Sequence, residues 1–295
     1  MADHQCKDSN SSVGQDNAGI NQPNHSQRTV QTKVVIPNHH GEKLVGILHD
    51  TGSKELVIVC HGIKSMKERI PMISLATAIE NIGMSAFRFD FAGNGESEGS
   101  FRYGNYRREA EDLRAVVQHF NGTDHVITTI IGHSKGGNVV LLYAAKYHDV
   151  HRVVNISGRF DLEKGIEGRL GKNFLERIES TGFIDVYGKS GKFQYRVTKE
   201  SLMDRLFTDV RAALILENCR ILTVHGSMDQ IVPVKDALKF DKNIANHELR
   251  IIEGADHEYT LHQKELVQVV LDFIRDQNQC NDGMKHSPSH VRGRL

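Results

Sequence analysis

The sequence predicts an α/β fold built on a doubly wound, mostly parallel sheet with one insertion. Short apolar runs alternate with amphipathic, helix-length segments along most of the chain, as expected for strands joined by crossover helices. One β-branched run leads through Gly132, Ser134 and Gly136 into an apolar helix-length segment, which is a G-x-S-x-G motif between a strand and a helix. The alternation then stops for roughly sixty residues before it resumes, too long a gap for a bare loop.

Composition excludes several classes of protein. The 295 residues include 37 basic and 37 acidic side chains, so the formal charge is zero and gives no reason to expect nucleic acid as a partner. No apolar run is long enough to span a membrane, and the N-terminus lacks the order of a secretory signal. The four cysteines have no C-x-x-C spacing, which predicts reduced thiols, no zinc site and a cytoplasmic location.

Three segments differ in composition. Residues 1–31 are polar with hardly any apolar side chains, so we expect a disordered N-terminal tail. Residues 32–276 carry the strand and helix pattern and form the predicted α/β domain. The polar stretch 277–295 is expected to be a flexible C-terminal tail.

The elements before the motif are predicted from periodicity and turn residues. Two strand-like runs flank a turn at 38–41, and an unbroken apolar run then reads as a strand buried on both faces. The glycine-rich loop at 91–99 has Glu98 where a dinucleotide fingerprint needs glycine, which argues against a Rossmann fold. The predicted elements are strands Thr32–Pro37, Glu42–His49, Leu56–Cys60 and Met84–Asp90, and helices Glu68–Asn81 and Arg107–Phe120.

The insertion, at about residues 160–218, has its own predicted elements. They are a short helix near Asn173–Glu179, a hairpin that turns at 188–191, and a helix containing Leu202. We expect the insertion to cover the carboxyl edge of the sheet, where this class of fold binds ligands. Its aromatic side chains either line an acyl or aryl pocket or pack the insertion onto the domain; they are Phe174, Phe183, Tyr187, Phe193 and Tyr195.

After the insertion the alternation returns. Ile221–His225 is a buried strand, a helix follows Pro233, Glu248–Ile252 is the last strand, and a helix from about Leu261 to Arg275 closes the domain.

A serine nucleophile needs a base, an acid that orients the base, and donors for an oxyanion. Asp229 and His257 each follow a predicted strand, and the order Ser134, Asp229, His257 is the one expected for a G-x-S-x-G elbow. Asp256 adjoins the histidine in sequence and is expected to point away from it. The backbone N–H groups of Lys135, after the serine, and Ile63, after the first buried strand, are the predicted oxyanion donors.

With these motifs the chain resembles the α/β-hydrolase superfamily, and within it the group that holds cinnamoyl or feruloyl esterases and serine aminopeptidase S33 proteins. The resemblance extends from about residue 32 to 276. It implies an α/β-hydrolase fold with a cap insertion, Ser134 as nucleophile, His257 as base and acid, and Asp229 as orienting acid. It also implies an oxyanion hole made by the amides of Ile63 and Lys135.

The resulting hypothesis is a serine hydrolase that cleaves short acyl or phenolic esters through an acyl-enzyme, with no cofactor and no metal. The predicted partner is a small-molecule ester, and the oligomeric state is left open. A peptidase, a monoacylglycerol lipase and an acyltransferase share this chemistry. A receptor of the same fold with little turnover is the alternative of a different class.

Overall fold

A computed structural model describes residues 30–188, 190–211, 216 and 218–276 of the chain. The strands are β1 (Val30–Pro37), β2 (Lys43–Asp50), β3 (Glu55–Cys60), β4 (Ser85–Phe89), β5 (Val126–His133), β6 (Arg152–Ile156), β7 (Phe183–Tyr187), β8 (Phe193–Thr198), β9 (Arg220–Gly226) and β10 (His247–Ile252). The helices are α1 (Met72–Asn81), α2 (Tyr106–Asn121), α3 (Lys135–Tyr147), α4 (Glu167–Leu170), α5 (Phe174–Thr181), α6 (Lys199–Phe207), α7 (Lys235–Asn243) and α8 (Gln263–Arg275).

Within the described residues, eight strands form one sheet in the order β1-β2-β4-β3-β5-β6-β9-β10. β2 pairs antiparallel with both β1 and β4, and every other neighbouring pair in this sheet is parallel. The predicted doubly wound, mostly parallel sheet is therefore confirmed. Its parallel strands all end at one edge, where the loops after β3, β5, β9 and β10 meet.

Helices cover both faces of the sheet, and alternate residues of each central strand point to opposite faces. On β5, Ile130 packs into the cluster that contains buried side chains of α2 and α3, whereas Ile131 packs with α1 and α8. Both isoleucines are fully buried. A strand that is buried on both faces has apolar side chains at successive positions, which is the pattern seen in the sequence.

The segment between β6 and β9 contains α4, α5, the β7–β8 hairpin and α6. The hairpin is antiparallel, with Val186 opposite Tyr195, as the alternation predicted. A third apolar cluster joins the hairpin and these helices to Tyr103 of the main domain. The one-turn helix α4 was not predicted, because four residues are too few to show helical periodicity.

Helix α1 differs from its predicted start at Glu68, since it begins at Met72. The ring of Pro71 disfavours a helical conformation at the residue before it, and residues 66–69 form a turn instead. β1 begins at Val30. The predictions for the rest of the N-terminal tail and for the C-terminal tail fall outside the described residues.

Two further observations concern the cysteine thiols and the possibility of a membrane span. Cys60 and Cys219 are buried free thiols, and burial raises the pKa of Cys219 to about 12. Cys6 and Cys280 lie outside the described residues. Of the helices that the structure describes, none combines the length and the apolar character needed to cross a bilayer.

Candidate active site

Ser134 occupies the sharp turn between β5 and α3. Its backbone has φ 56° and ψ −117°, a conformation that few non-glycine residues adopt and that is typical of strained functional turns. Two glycines allow the strand and the helix to approach this closely. A Cβ atom on Gly132 would lie 2.1 Å from the Gly136 carbonyl oxygen, and one on Gly136 would lie 2.5 Å from the His61 carbonyl oxygen. The turn therefore needs both glycines of the motif.

His257 and Asp229 lie beside the serine, although 123 and 95 residues separate them from it in sequence. His257 Nε2 is 3.0 Å from Ser134 Oγ, and His257 Nδ1 is 2.7 Å from Asp229 Oδ2. An ionised carboxylate only accepts hydrogen bonds, so this contact assigns the ring proton to Nδ1. Nε2 is then free to accept the serine proton.

The carboxylate of Asp229 is surrounded by donors. Its Oδ1 accepts hydrogen bonds from the backbone N–H groups of Ile231 and Val232, both at 2.8 Å. Its Oδ2 faces His257 and lies 3.3 Å from His225 Nε2. Burial alone would raise the pKa of Asp229, but its contacts with His225 and His257 and the hydrogen bond from the Val232 N–H together outweigh burial and hold the pKa well below its usual range.

Asp256 is not part of this chain of contacts. Its carboxylate accepts hydrogen bonds from the backbone N–H of Thr260 at 2.8 Å and from the Thr260 hydroxyl at 2.6 Å. The carboxylate next to His257 in sequence thus stabilises the loop that follows β10, and the carboxylate that contacts the imidazole is that of Asp229.

His133 and His225 are two further residues of the site whose contacts sequence reasoning missed. His133 Nε2 donates to the His257 carbonyl oxygen at 2.8 Å, and burial lowers the pKa of His133 to about 3, so its ring is neutral. His225 Nε2 donates to the Val232 carbonyl oxygen at 2.9 Å while facing Asp229. Both histidines stand near the carboxyl ends of parallel strands, which is the signal that points to them.

The loop after β3 lies directly against the serine. A Cβ atom on Gly62 would be 3.0 Å from Ser134 Cβ, so the backbone before Ile63 passes within contact distance of the nucleophile turn. His61 fixes this loop: its Nδ1 donates to the Gly62 carbonyl oxygen at 2.7 Å, and its Nε2 accepts from the Phe91 N–H at 3.1 Å. In the described part of the chain, the N–H groups of Ile63 and Lys135 have no acceptor.

A small pocket opens beside Ser134, with a volume of about 50 Å³. Most of its lining is polar or charged: Ile63, Tyr106, Ser134, Lys135, Asn138, Arg159, Gly165, Arg169, Arg205, Ile231 and Val232. The side chain of Lys135 is buried and pairs with Glu109 at 2.6 Å. Burial raises the pKa of Glu109 to about 7, and the positive charge of Lys135 makes this rise smaller than it would otherwise be.

The aromatic side chains of the insertion do not line this pocket. Phe174 and Tyr195 are buried in the insertion's own apolar cluster, and Tyr187 and Phe193 are exposed. For Phe174, the structure therefore favours the alternative that it packs the insertion. Tyr195 packs there too, and together with Phe193 it lines a separate surface cavity of about 420 Å³.

Among the residues that the structure describes, one group of side chains has the spacing of metal ligands. Potential ligand atoms of His133, His257 and Glu258 lie within 4.8 Å of one another. His257 already uses both ring nitrogens for Asp229 and Ser134, and His133 Nε2 donates to a carbonyl oxygen. An ion at this position would displace the contact between the serine and the imidazole, so this group fits hydrogen bonding better than metal binding.

The sheet order, the strained serine turn and the insertion after β6 define an α/β-hydrolase. The chain belongs to the serine aminopeptidase S33 family, whose model matches residues 51–209.

Solved structures and curated proteins agree with this class. The chain is similar to Est1E from Butyrivibrio proteoclasticus, solved with ferulic acid bound, with a TM-score of 0.72 and 25% identity over 82% of this chain and 97% of Est1E. The esterase Pf2001 of Pyrococcus furiosus has a TM-score of 0.65 and 21% identity over 83% of this chain and 90% of that one. Human mitochondrial palmitoyl-protein thioesterase ABHD10 is 20% identical over 76% of this chain and 73% of the thioesterase. Together these similarities support a hydrolase of esterase or thioesterase type.

Proposed function

We propose that this protein hydrolyses carboxylic esters of small acids through an acyl-enzyme formed on Ser134. The observation that carries the proposal is the continuous line of contacts from Asp229 Oδ2 through the His257 ring to Ser134 Oγ, at 2.7 and 3.0 Å. Pf2001 is named as an esterase and ABHD10 as a thioesterase, which supports the same reaction class, and a thioester would react by the same steps.

In the first half of the reaction, Ser134 Oγ attacks the ester carbonyl carbon while its proton moves to His257 Nε2. Asp229 stays ionised because its pKa is low, and its negative charge stabilises the imidazolium and keeps the ring oriented. The backbone N–H groups of Ile63 and Lys135 donate to the oxyanion, and each donor is expected to contribute about 3 kcal/mol. His257 then gives its proton to the departing alcohol oxygen.

In the second half, a water molecule replaces the alcohol. His257 takes one proton from this water as its oxygen attacks the acyl carbon, and the same amides hold the second oxyanion. When the bond to Ser134 Oγ breaks, the imidazolium returns the proton to the serine. The product is a free acid, and the enzyme returns to its starting state without a cofactor.

The predicted substrates are short acyl or phenolic esters. The small pocket beside Ser134 suits a short acyl chain better than a long lipid chain. A ferulic acid complex of Est1E supports phenolic acids as a class to test. An aminopeptidase would have to admit a peptide's N-terminal ammonium into a pocket lined by Arg159 and Arg169, and the like charges would repel each other.

The test is turnover and active-site labelling of Ser134→Ala. We expect kcat for p-nitrophenyl esters to fall by roughly 10⁶ and fluorophosphonate labelling to disappear, with the melting temperature kept within a few degrees. Ser180→Ala, which changes an exposed serine on α5, is the matched control and should behave like the unmodified protein. Unchanged turnover in Ser134→Ala would refute the proposal, and tight ligand binding without any turnover would favour a receptor.

A further inference from the structure

Three arginines line the pocket beside Ser134, and none of them pairs with a carboxylate among the described residues. They are Arg159, Arg169 and Arg205. The fourth cation of the lining, Lys135, pairs with Glu109. Arg205 is buried, Arg159 is partly buried and Arg169 is exposed. Burying a cation without a counter-charge costs free energy, so the first two are costly unless something else supplies negative charge.

Arg205, on α6, is the most enclosed of the three, with 6% of its surface exposed. Its guanidinium donates only to neutral acceptors: the carbonyl oxygens of Leu162 at 2.9 Å and Lys164 at 3.1 Å, and the hydroxyl of Tyr103 at 3.0 Å. A guanidinium has five N–H groups, so these bonds use three of them. Arg205 is therefore fixed in position by hydrogen bonds, but no carboxylate among the described residues pairs with its charge.

Arg159 is fixed relative to the nucleophile by Asn138, one helical turn after Ser134. Asn138 accepts from the Arg159 N–H at 3.2 Å and donates to its carbonyl oxygen at 2.6 Å. The guanidinium donates to the Ile231 carbonyl oxygen and lies so close to Gly165 that a Cβ there would be 2.8 Å from Arg159 Cζ. Burial, and then the positive charge of Arg205, lower the pKa of Arg159.

The nearby acidic groups are bonded elsewhere. Asp236 accepts from the Phe160 N–H at 3.2 Å, Asp161 pairs with Lys164 and Lys239, and Asp204 accepts from the Tyr106 N–H at 3.1 Å. Asp229 belongs to the His257 contact. Among the described residues, Asp236 and Asp229 therefore attract Arg159 only at longer range, and no carboxylate forms an ion pair with the arginines of the pocket.

We propose that this pocket is an anion subsite that binds a carboxylate or phosphate carried by the substrate a few bonds from the scissile carbonyl. The planar guanidinium forks of arginine match both groups. The volume of about 50 Å³ has room for a few water-sized groups, which suits a short acyl chain that ends in a carboxylate. The inference rests on the proposed ester hydrolysis and names its substrate class: half-esters of short dicarboxylic acids.

A binding experiment tests the subsite without turnover. Ser134→Ala protein is titrated calorimetrically with monomethyl glutarate, with its neutral analogue dimethyl glutarate, and with inorganic phosphate. We expect the monoanion to bind at least roughly tenfold more tightly than the neutral diester, because charge-assisted hydrogen bonds to a guanidinium have no counterpart in the diester. Phosphate that binds where monomethyl glutarate does not would keep the anion subsite and overturn the carboxylate assignment.

Variants then locate the binding. Arg159→Gln and Arg169→Gln, each added to Ser134→Ala, should each weaken monomethyl glutarate binding by roughly tenfold and leave dimethyl glutarate unchanged. Arg169 is exposed, so its replacement tests the proposal even where removal of a buried arginine disturbs folding. Arg102→Gln is the control, because Arg102 is half-exposed, pairs with Glu200 and does not line the pocket. Equal binding of the two glutarate esters, or equal effects of Arg102→Gln and Arg159→Gln, would overturn the subsite.

Turnover separates this inference from the proposed function. With Ser134 intact, the ratio of kcat/KM for p-nitrophenyl hydrogen glutarate to that for p-nitrophenyl pentanoate should exceed roughly ten and fall towards one in Arg159→Gln. A pair with the charge on the leaving group, 4-acetoxybenzoate and its methyl ester, tells which side of the ester faces the arginines. Anion binding without hydrolysis of any ester would leave the subsite standing and refute ester hydrolysis.

Discussion

Two groups of charged side chains flank Ser134, and they differ in whether their charges are balanced. On one side, Asp229 accepts hydrogen bonds from two backbone amides and from His257, so its negative charge is stabilised before any substrate arrives. On the other side, Arg159 and Arg205 donate only to neutral oxygens. The charge of the Asp229 group is balanced by groups of the protein itself, whereas the charge of the arginines is balanced, in our proposal, by an anion on the substrate.

This difference suggests a division of roles. Groups that perform chemistry on every substrate must be pre-organised, because reorganisation during the reaction would raise the barrier. Groups that select a substrate gain most when the substrate supplies the missing interaction, since the correct ligand then removes the cost of an unpaired charge. We therefore expect changes near Asp229 to affect all esters alike, and changes among the arginines to affect charged esters more.

Among the changes that compare these two groups of side chains, Asp229→Asn is expected to have the largest effect. The amide would favour the wrong ring tautomer of His257, and kcat/KM should fall by roughly 10⁴ for charged and neutral esters alike. The measurement is kcat/KM for p-nitrophenyl hydrogen glutarate and p-nitrophenyl pentanoate, whose ratio should not change.

Asp256→Asn is the matched control for this variant. Asp256 precedes His257 in sequence, but its carboxylate bonds to Thr260, so the amide should retain nearly full activity. A loss confined to the charged ester, or a larger loss in Asp256→Asn than in Asp229→Asn, would break the proposed division of roles.

The sequence predicts the Asp229 group beside Ser134, but it does not predict the arginine pocket. Ser134, Asp229 and His257 are selected because each follows a predicted strand, and the carboxyl ends of parallel strands must meet at one edge. Periodicity and chain order are enough to bring such residues together. The same reasoning predicts the sheet, its interruption and the hairpin of the insertion.

The arginine pocket could not be predicted in this way. Arg159 follows β6, Arg169 lies on α4 and Arg205 lies on α6, so their proximity depends on how the insertion packs. No spacing rule relates these positions, and surface charges of helices are usually solvated. The aromatic side chains were the more visible signal in the insertion, yet the pocket beside Ser134 is lined by charges instead.

A second prediction concerns the neutral histidines that support the site. Burial lowers the pKa of His61 to about 4 and that of His133 to about 3, against about 6.5 in an unfolded chain. Between pH 6.5 and 4 the unfolded state therefore binds protons that the folded state does not, and stability falls as pH falls. From pH 7.5 to 5 the free energy of unfolding should drop by about 2 kcal/mol for each histidine.

Urea unfolding at pH 7.5 and pH 5 measures this loss. His133→Gln should show a smaller loss than the unmodified protein by about 2 kcal/mol, because one of the two proton-linked contributions is removed. His39→Gln, which changes an exposed histidine of the turn after β1, should leave the loss unchanged. A loss that is the same in all three proteins would show that His133 is not held neutral by the fold.

The smallest expected effect is on the response to salt. The pocket is partly open to water, since Arg169 is exposed, so dissolved ions can screen its positive charge. Between 0.05 and 0.5 M sodium chloride, KM for p-nitrophenyl hydrogen glutarate should rise by about threefold, while KM for p-nitrophenyl pentanoate stays nearly constant. Arg169→Gln should reduce the rise, because it removes the cation that solvent reaches most easily. Equal changes in KM for the two esters would mean that salt does not act through the arginines. That result would contradict the proposed electrostatic difference between the Asp229 group and the arginines.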